Sequence, residues 1–205
     1  MSLERIEIDF DDVEVPADVA GFLADAKERI DTFVEYRGDR PIPGFVPSNF
    51  TSVFKALRMV TGERLANGGA FLEWGSGFGV VCALAAMQDY DAFGIEIERP
   101  LIEQAEELVE AHEIPVTFVC GNFVPPEGEA LADTTGEFDW LQSGGGRAYE
   151  EMGLEVEDFD VIFAYPWPGE EEVVMNLFDA FAAPGALLLT YHGEYESIRI
   201  QRKRR

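Results

Sequence analysis

One run constrains this chain more than any other, "FLEWGSGFGVV", Phe71 to Val81. A short apolar stretch ends in glycines at alternate positions, Gly75, Gly77 and Gly79, and passes directly into a helical pattern. That is a buried strand, a tight loop whose backbone adopts conformations closed to residues with a Cβ, and a helix. The helix, Val80 to Met87, carries Cys82, Ala83, Ala85 and Ala86, small residues that permit close packing on a sheet. The alternation then continues. "DAFGIEIE" reads as a strand, and Pro100 opens a helix through His112 with Leu101, Ala105, Leu108 and Val109 facing inward. "PVTFVCGNF" and "DFDVIFAYP" read as strands, "EEEVVMNLFDAFA" as a helix, Pro184-Gly185 as a turn and "ALLLTY" as a strand. Strands alternating with helices require parallel pairing through crossovers, hence a doubly wound α/β sheet.

Upstream, Ile6, Ile8 and Phe10 alternate with polar residues and suggest a short half-buried strand. A helix after Pro16 places Val19, Phe22, Leu23, Ala26, Ile30, Phe33 and Val34 on one stripe. "GDRPIPGFVPSNF" is a connection punctuated by proline and glycine. A second helix follows with Phe50, Val53, Phe54, Leu57 and Val60 on one face, capped by Ser48 or Thr51. The domain reading is an N-terminal strand and helix extension over 1–45, acting as a lid, and a main domain over 46–205 with an insertion at 124–157.

The chain has 205 residues, 47% of them hydrophobic, enough for one packed domain. No apolar run is long enough to span a bilayer, and the acidic start "MSLERIEIDFDD" lacks the apolar core of a secretory signal, so a cytoplasmic location is expected. Cys82 and Cys120 read as small buried hydrophobes rather than a disulfide, and no metal-ligand spacing occurs. The net charge of −25 implies a solvated acidic surface that disfavours nucleic acid and favours cationic partners. The tail "RIQRKRR" is the one basic cluster and reads as a frayed terminus.

Two nucleotide classes compete for the glycine loop. A dinucleotide fingerprint wants a third glycine where this chain has Val80. Glu73, two residues before Gly75 at the strand's carboxyl end, would repel a pyrophosphate. A carboxylate there suits a cation such as an amino-acid ammonium, and a ligand with that ammonium, a ribose and an adenine is S-adenosylmethionine. Glu96, ending "GIE", can accept both ribose hydroxyls, a feature that NAD enzymes share. Asn122 in "CGNF" can read the adenine amino group, with Phe123 offering an apolar face.

At these residues the chain resembles a known family. "LEWGSGFG", "GIEIE", "CGNF" and "FAYPWPGEE" are similar to successive motifs of the class I S-adenosylmethionine-dependent methyltransferases, over residues from about 45 to 195. The third motif departs from the family in having Asn122 where Asp is commoner. The short form, "GSGFG" followed by "GIE", also looks similar to the non-SET protein lysine methyltransferases. The resemblance implies a mostly parallel Rossmann-like methyltransferase sheet with an N-terminal helical extension. It implies S-adenosylmethionine as cofactor, held by Glu73, Gly75, Ser76, Gly77, Gly79, Glu96, Ile97, Asn122 and Phe123. The family's seven-stranded sheet would be either trimmed or completed by the N-terminal strand, with "ESIRIQRKRR" giving one strand more.

The fourth core strand runs into Ala164, Tyr165, Pro166, Trp167 and Pro168, without the Asn or Asp that holds the exocyclic amine of a base. Tyr165 and Trp167 can instead wall a cationic or planar nucleophile. Tyr165 and His192 are the candidate catalytic residues, with Glu194 beside His192. Phe50 joins Tyr165 and Trp167 as a candidate substrate contact, and Pro47, Ser48 and Asn49 are placed over the methionine end. The expected activity is methyl transfer to a small-molecule or protein amine. The alternatives are a non-catalytic S-adenosylmethionine or S-adenosylhomocysteine sensor, or partner subunit, of the same fold, and an NAD-dependent oxidoreductase, which Glu73 and Val80 argue against.

Overall fold

A computed structural model describes residues 2–38, 40, 42, 44–129, 131, 148–193 and 197–204. Half of the 124–157 insertion, and Glu194, lie outside the described residues. Seven strands form one sheet: β1 (Leu3–Ile6), β2 (Ala70–Trp74), β3 (Asp91–Glu96), β4 (Val116–Cys120), β5 (Val161–Ala164), β6 (Leu187–His192) and β7 (Ser197–Lys203). Their order is β1-β7-β6-β5-β2-β3-β4. β6, β5, β2, β3 and β4 are mutually parallel, as the alternation requires.

β7 runs antiparallel to β6, and β1 antiparallel to β7. Two reversals return β1 to the direction of the parallel strands. The N-terminal strand therefore completes the sheet, and the tail supplies the strand beside it. The expected strand around Ile6, Ile8 and Phe10 begins earlier than its alternation suggests, because pairing of Ile6 with Ile200 sets its register. The sheet is buried on both faces. Phe71, Phe163 and Leu189 point to one side, where they meet α1 (Ala17–Arg37), α2 (Phe50–Gly62), α3 (Val80–Ala86) and α4 (Arg99–Ala111). Leu72, Ile162 and Leu188 point to the other, against α5 (Ala148–Met152) and α6 (Glu171–Phe181). Two covered faces explain the unbroken apolar runs of the central strands.

Two local expectations are corrected. Val34 is 54% exposed, because α1 buries the narrower stripe of Val19, Phe22, Ala26 and Ile30, and Val34 turns away from it. The cap of α2 is neither Ser48 nor Thr51 but Asn49, whose Oδ1 accepts the Ser52 N–H at 3.1 Å. Cys82 and Cys120 are both free thiols, the first buried and the second half-buried.

The chain runs outward from β2 to β4, returns to β5 on the other side of β2, and continues to β6. The carboxyl ends of β2 and β5 therefore border the reversal point, where doubly wound sheets open a crevice. Gly79, at the start of α3, has φ +67°, and a Cβ there would lie 2.3 Å from Phe118 Cζ on β4. Gly79→Ala is expected to cost about 2–4 kcal/mol, seen as a drop of roughly 5–10 °C in thermal midpoint. Gly21→Ala, in an exposed turn of α1 where a Cβ meets nothing within 4 Å, is expected to leave the midpoint unchanged or raise it slightly.

Candidate functional site

The loop from Gly75 to Gly79 is held down on β3. The Gly75 and Ser76 N–H groups both donate to the Ile95 carbonyl, at 2.9 and 3.0 Å. Gly75, Gly77 and Gly79 all have positive φ, between +52° and +74°, which explains why glycine occupies each alternate position. A further glycine underlies the loop. At Gly94 on β3, a Cβ would lie 2.8 Å from both Ser76 Cβ and Phe118 Cδ1. The sequence reading missed it, although a glycine inside the strand "DAFGIE" is the signal of a close backbone approach.

Glu96 ends β3 and braces the loop. Its Oε2 accepts the Gly77 N–H at 2.8 Å and its Oε1 the Glu98 N–H at 2.9 Å. The residue lines the cavity described below. Burial pushes its carboxyl above the usual range, against the pull of those N–H donors. Glu73, only 5% exposed, has a contact that the sequence did not reveal. Its Oε2 accepts the Cys82 N–H at 3.1 Å, and the Cys82 thiol donates to the same oxygen at 3.0 Å. Glu73 thereby caps α3, whose N-cap is the side-chainless Gly79. Burial raises its pKa to about 8, so without a ligand it is largely a neutral acid near pH 7.

Beyond β4, the Asn122 Oδ1 accepts the Val124 N–H at 2.9 Å and shapes the turn. Phe123 stacks on Trp74, ring centroids 5.3 Å apart and 16° from parallel. The buried Tyr149 hydroxyl of α5 donates to the Phe123 carbonyl at 2.7 Å and accepts from Trp74 Nε1 at 3.0 Å. Burial pushes that phenol up, so it stays protonated. Trp74 and Tyr149 were not singled out from sequence; the signal was their chemistry, since a buried indole or phenol requires a polar partner.

After β5, Tyr165 packs edge-on against Tyr191 at 4.8 Å, and its hydroxyl lies over Gly193, where a Cβ would approach within 2.2 Å. The Trp167 N–H donates to Glu170 Oε2 at 3.2 Å and the Gly169 N–H to Glu171 Oε2 at 2.8 Å. His192 Nε2 lies 2.9 Å from the buried Thr190 Oγ1. Burial, then the Arg199 charge, lowers its pKa, while Glu171 raises it; the net result is a neutral imidazole at pH 7. Glu170, Glu171, Thr190 and Arg199 escaped the sequence reading, because an acidic helix start and a polar strand end look ordinary without their surroundings.

These groups share one cavity of about 580 Å³ at the reversal point. Glu73, Gly75, Glu96, Ile97, Asn122 and Phe123 line it on the β2–β4 side, and Tyr165, Trp167 and His192 on the β5–β6 side. Phe50, Pro47 and Ser48 line it too, while Asn49 serves as the α2 cap. Phe45 lies over the loop, 3.1 Å from the point where a Gly77 Cβ would sit, and packs on Phe78. Ser76, Gly77 and Gly79 do not line the cavity; they build the loop beneath it. Among the described residues no group of three or more His, Cys, Asp or Glu side chains could hold a metal ion, and no helix is long and apolar enough to cross a membrane.

Comparison with protein-family models and with curated sequences finds no match. Comparison with solved structures does. An RNA methyltransferase from Salinibacter ruber, in complex with S-adenosylhomocysteine, superposes with TM-score 0.52 at 17% identity, covering 77% of this chain and 92% of that one. A methyltransferase from Geobacter sulfurreducens gives 0.51 at 14% identity, covering 93% and 91%. A candidate O-methyltransferase from Klebsiella pneumoniae gives 0.50 at 15% identity, covering 87% of this chain; the chain spans 66% of that protein's length. The fold is that of the class I S-adenosylmethionine-dependent methyltransferases.

The Glu73 carboxyl gives the ligand-free protein a pH-dependent stability. A carboxyl raised from 4.5 to about 8 on folding favours the folded state below pH 4.5, and that advantage is lost as pH rises through 8. Glu73→Gln keeps an oxygen for the Cys82 N–H and cannot ionise. Urea unfolding of wild type and Glu73→Gln at pH 5.5 and 8.0 is expected to show the variant gaining on wild type by about 3 kcal/mol across that interval. An unchanged difference between the two proteins would remove Glu73 as the source.

Proposed function

We propose that this chain is an S-adenosylmethionine-dependent methyltransferase acting on an amine of a small molecule or a protein, working in the cytoplasm. The supporting observation is the single cavity at the reversal point, with Glu96 and the glycine loop on one side and Tyr165, Trp167 and His192 on the other. Its volume suits a nucleoside-sized ligand together with a small acceptor group. The donor set fits the cofactor. Glu96 offers a buried carboxylate to ribose hydroxyls, Ile97 and Phe123 present apolar surface to adenine, and Asn122 stands beside them. Where Gly75 faces the cavity, a Cβ would meet nothing within 4 Å, leaving room for close backbone approach. Glu73 and the segment from Pro47 to Phe50 serve the methionine end, where an ammonium would draw the Glu73 carboxyl into its ionised form.

S-adenosylmethionine supplies an activated methyl on a sulfonium centre. The protein's own work is alignment, exclusion of water and handling of one proton. Tyr165 and Trp167 orient the acceptor; Phe50 and Phe45 close the cavity over the loop. His192, neutral and 2.9 Å from Thr190, takes the proton that an amine must lose before it can attack.

Calorimetric titration is expected to show binding of S-adenosylmethionine and S-adenosylhomocysteine but not NAD, with at least tenfold weaker binding in Glu96→Ala. Binding of NAD alone would overturn the cofactor reading. Tritiated methyl transfer into a size-fractionated cell lysate is expected to label an acceptor. Binding without any labelling would favour a sensor. With an acceptor in hand, His192→Ala is expected to lower kcat by about 10²-fold. In wild type, kcat/KM is expected to fall as pH drops through a value below 6.5, the ordinary histidine range, because the His192 pKa is lowered.

A further inference from the structure

The β5–β6 side of the cavity holds a carboxyl group whose bonding capacity is only partly used. Glu170 is 7% exposed and lines the cavity. Its Oε2 accepts the Trp167 N–H, whereas its Oε1 is buried with no hydrogen-bond partner. A buried carboxylate in that condition is costly until a cation or donor arrives. Glu171 lies next to it with one oxygen on the Gly169 N–H. Among the described residues lining the cavity, Glu73, Glu96, Glu98, Glu170 and Glu171 stand against the single guanidinium of Arg199.

We propose that Glu170 is the acceptor-recognition residue, seating an alkylammonium group in the half of the cavity walled by Tyr165, Trp167, Glu171 and His192. This rests on reading the cavity as a methyltransferase site and deepens it by naming the substrate class, a primary or secondary alkyl amine that enters protonated. Three features discriminate. A neutral hydroxyl would leave the buried Glu170 charge without a counter-charge. An anionic acceptor would face both Glu170 and Glu171 inside a protein of net charge −25. The aromatic faces of Tyr165 and Trp167 attract cations and repel anions.

The chemistry balances. The bound ammonium gives one proton to His192, and the freed nitrogen lone pair forms the new N–C bond to the methyl. The methyl's bond to sulfur breaks and its electron pair stays on sulfur, so the sulfonium becomes a neutral thioether. The product leaves as an N-methylated ammonium, and His192 returns its proton to solvent. Glu170 moves no proton in this scheme; it selects and places the cation.

The test uses the full chain saturated with S-adenosylhomocysteine. Calorimetric titrants are n-butylammonium chloride, a Gly-Lys-Gly peptide with blocked termini, 1-pentanol and sodium butanoate. Saturable binding is expected for butylammonium, the lysyl peptide or both, and none for pentanol or butanoate. Preference for butylammonium marks a small-molecule acceptor, and preference for the peptide a lysine side chain. Glu170→Gln is expected to weaken the cation at least tenfold while S-adenosylhomocysteine affinity stays within twofold, which also shows that the variant is folded. Glu170→Asp, which keeps the charge and shifts its position, is expected to retain part of the affinity. Equal binding of pentanol and butylammonium, or full affinity in Glu170→Gln, would overturn the inference and leave the cofactor reading standing. Failure of wild type to bind S-adenosylhomocysteine would overturn the proposed function instead.

Discussion

The site depends on one carboxylate holding two pieces of backbone. Glu96 accepts the Gly77 N–H with one oxygen and the Glu98 N–H with the other. The first bond fixes the glycine loop over β3, and the second fixes the path from β3 into α4. Cavity volume at the end of β2 exists only because the loop lies flat on the sheet, tied to the Ile95 carbonyl and clear of any side chain at Gly94. Remove the brace and the loop would lose its anchor at Gly77, its middle glycine. Glu96 also lines the cavity, so the residue that builds the site faces it.

Sheet order then divides the cavity. β3 and β4 lie on one side of β2, and β5 and β6 on the other. Residues after β3 and β4 are thereby gathered at one end of the crevice, and residues after β5 and β6 at the other. Topology alone thus separates the two halves of the crevice, and proximity across the β2–β5 boundary brings them together. The antiparallel addition of β7 and β1 covers the flank of β6, the strand whose end carries His192. Tyr165, just past the end of β5, packs edge to face on Tyr191 of β6 and stiffens that end.

Much of this is legible in the amino-acid sequence. Apolar runs and helical patterns locate the parallel strands and the helices between them, because two buried faces force such runs and polar connections interrupt them. The glycine spacing and Glu96 were legible because positive φ and a carboxylate at a strand end leave residue-type signatures. What was not legible depends on who stands next to whom. Glu73 reads in sequence as a ligand-facing acid, and only the structure shows its oxygen on the Cys82 N–H of α3. The Asn49 cap was missed because three candidate capping residues sit close together, and backbone geometry selects among them. Tyr149 reaches Trp74 and Phe123 from the far end of the insertion, a contact with no local pattern at all. Val34 failed for a plainer reason: an apolar residue on a helix flank is buried only if something covers that flank.

The three buried acids of the cavity share a physical predicament that links stability to function. Glu73, Glu96 and Glu170 are all raised, with burial the largest cause at each. Each is only partly compensated by N–H groups, and no lysine lines the cavity among the described residues. A core built only for stability would replace such groups by apolar residues of similar size, since a buried acid without a counter-charge works against folding. Their cost falls when a ligand brings hydrogen-bond donors or positive charge to them. Binding in such a site is expected to stabilise the fold by more than its contact area implies, because it also removes a penalty that the empty cavity carries. The acidic surface acts in the same direction at longer range, concentrating cations at the mouth and repelling anions.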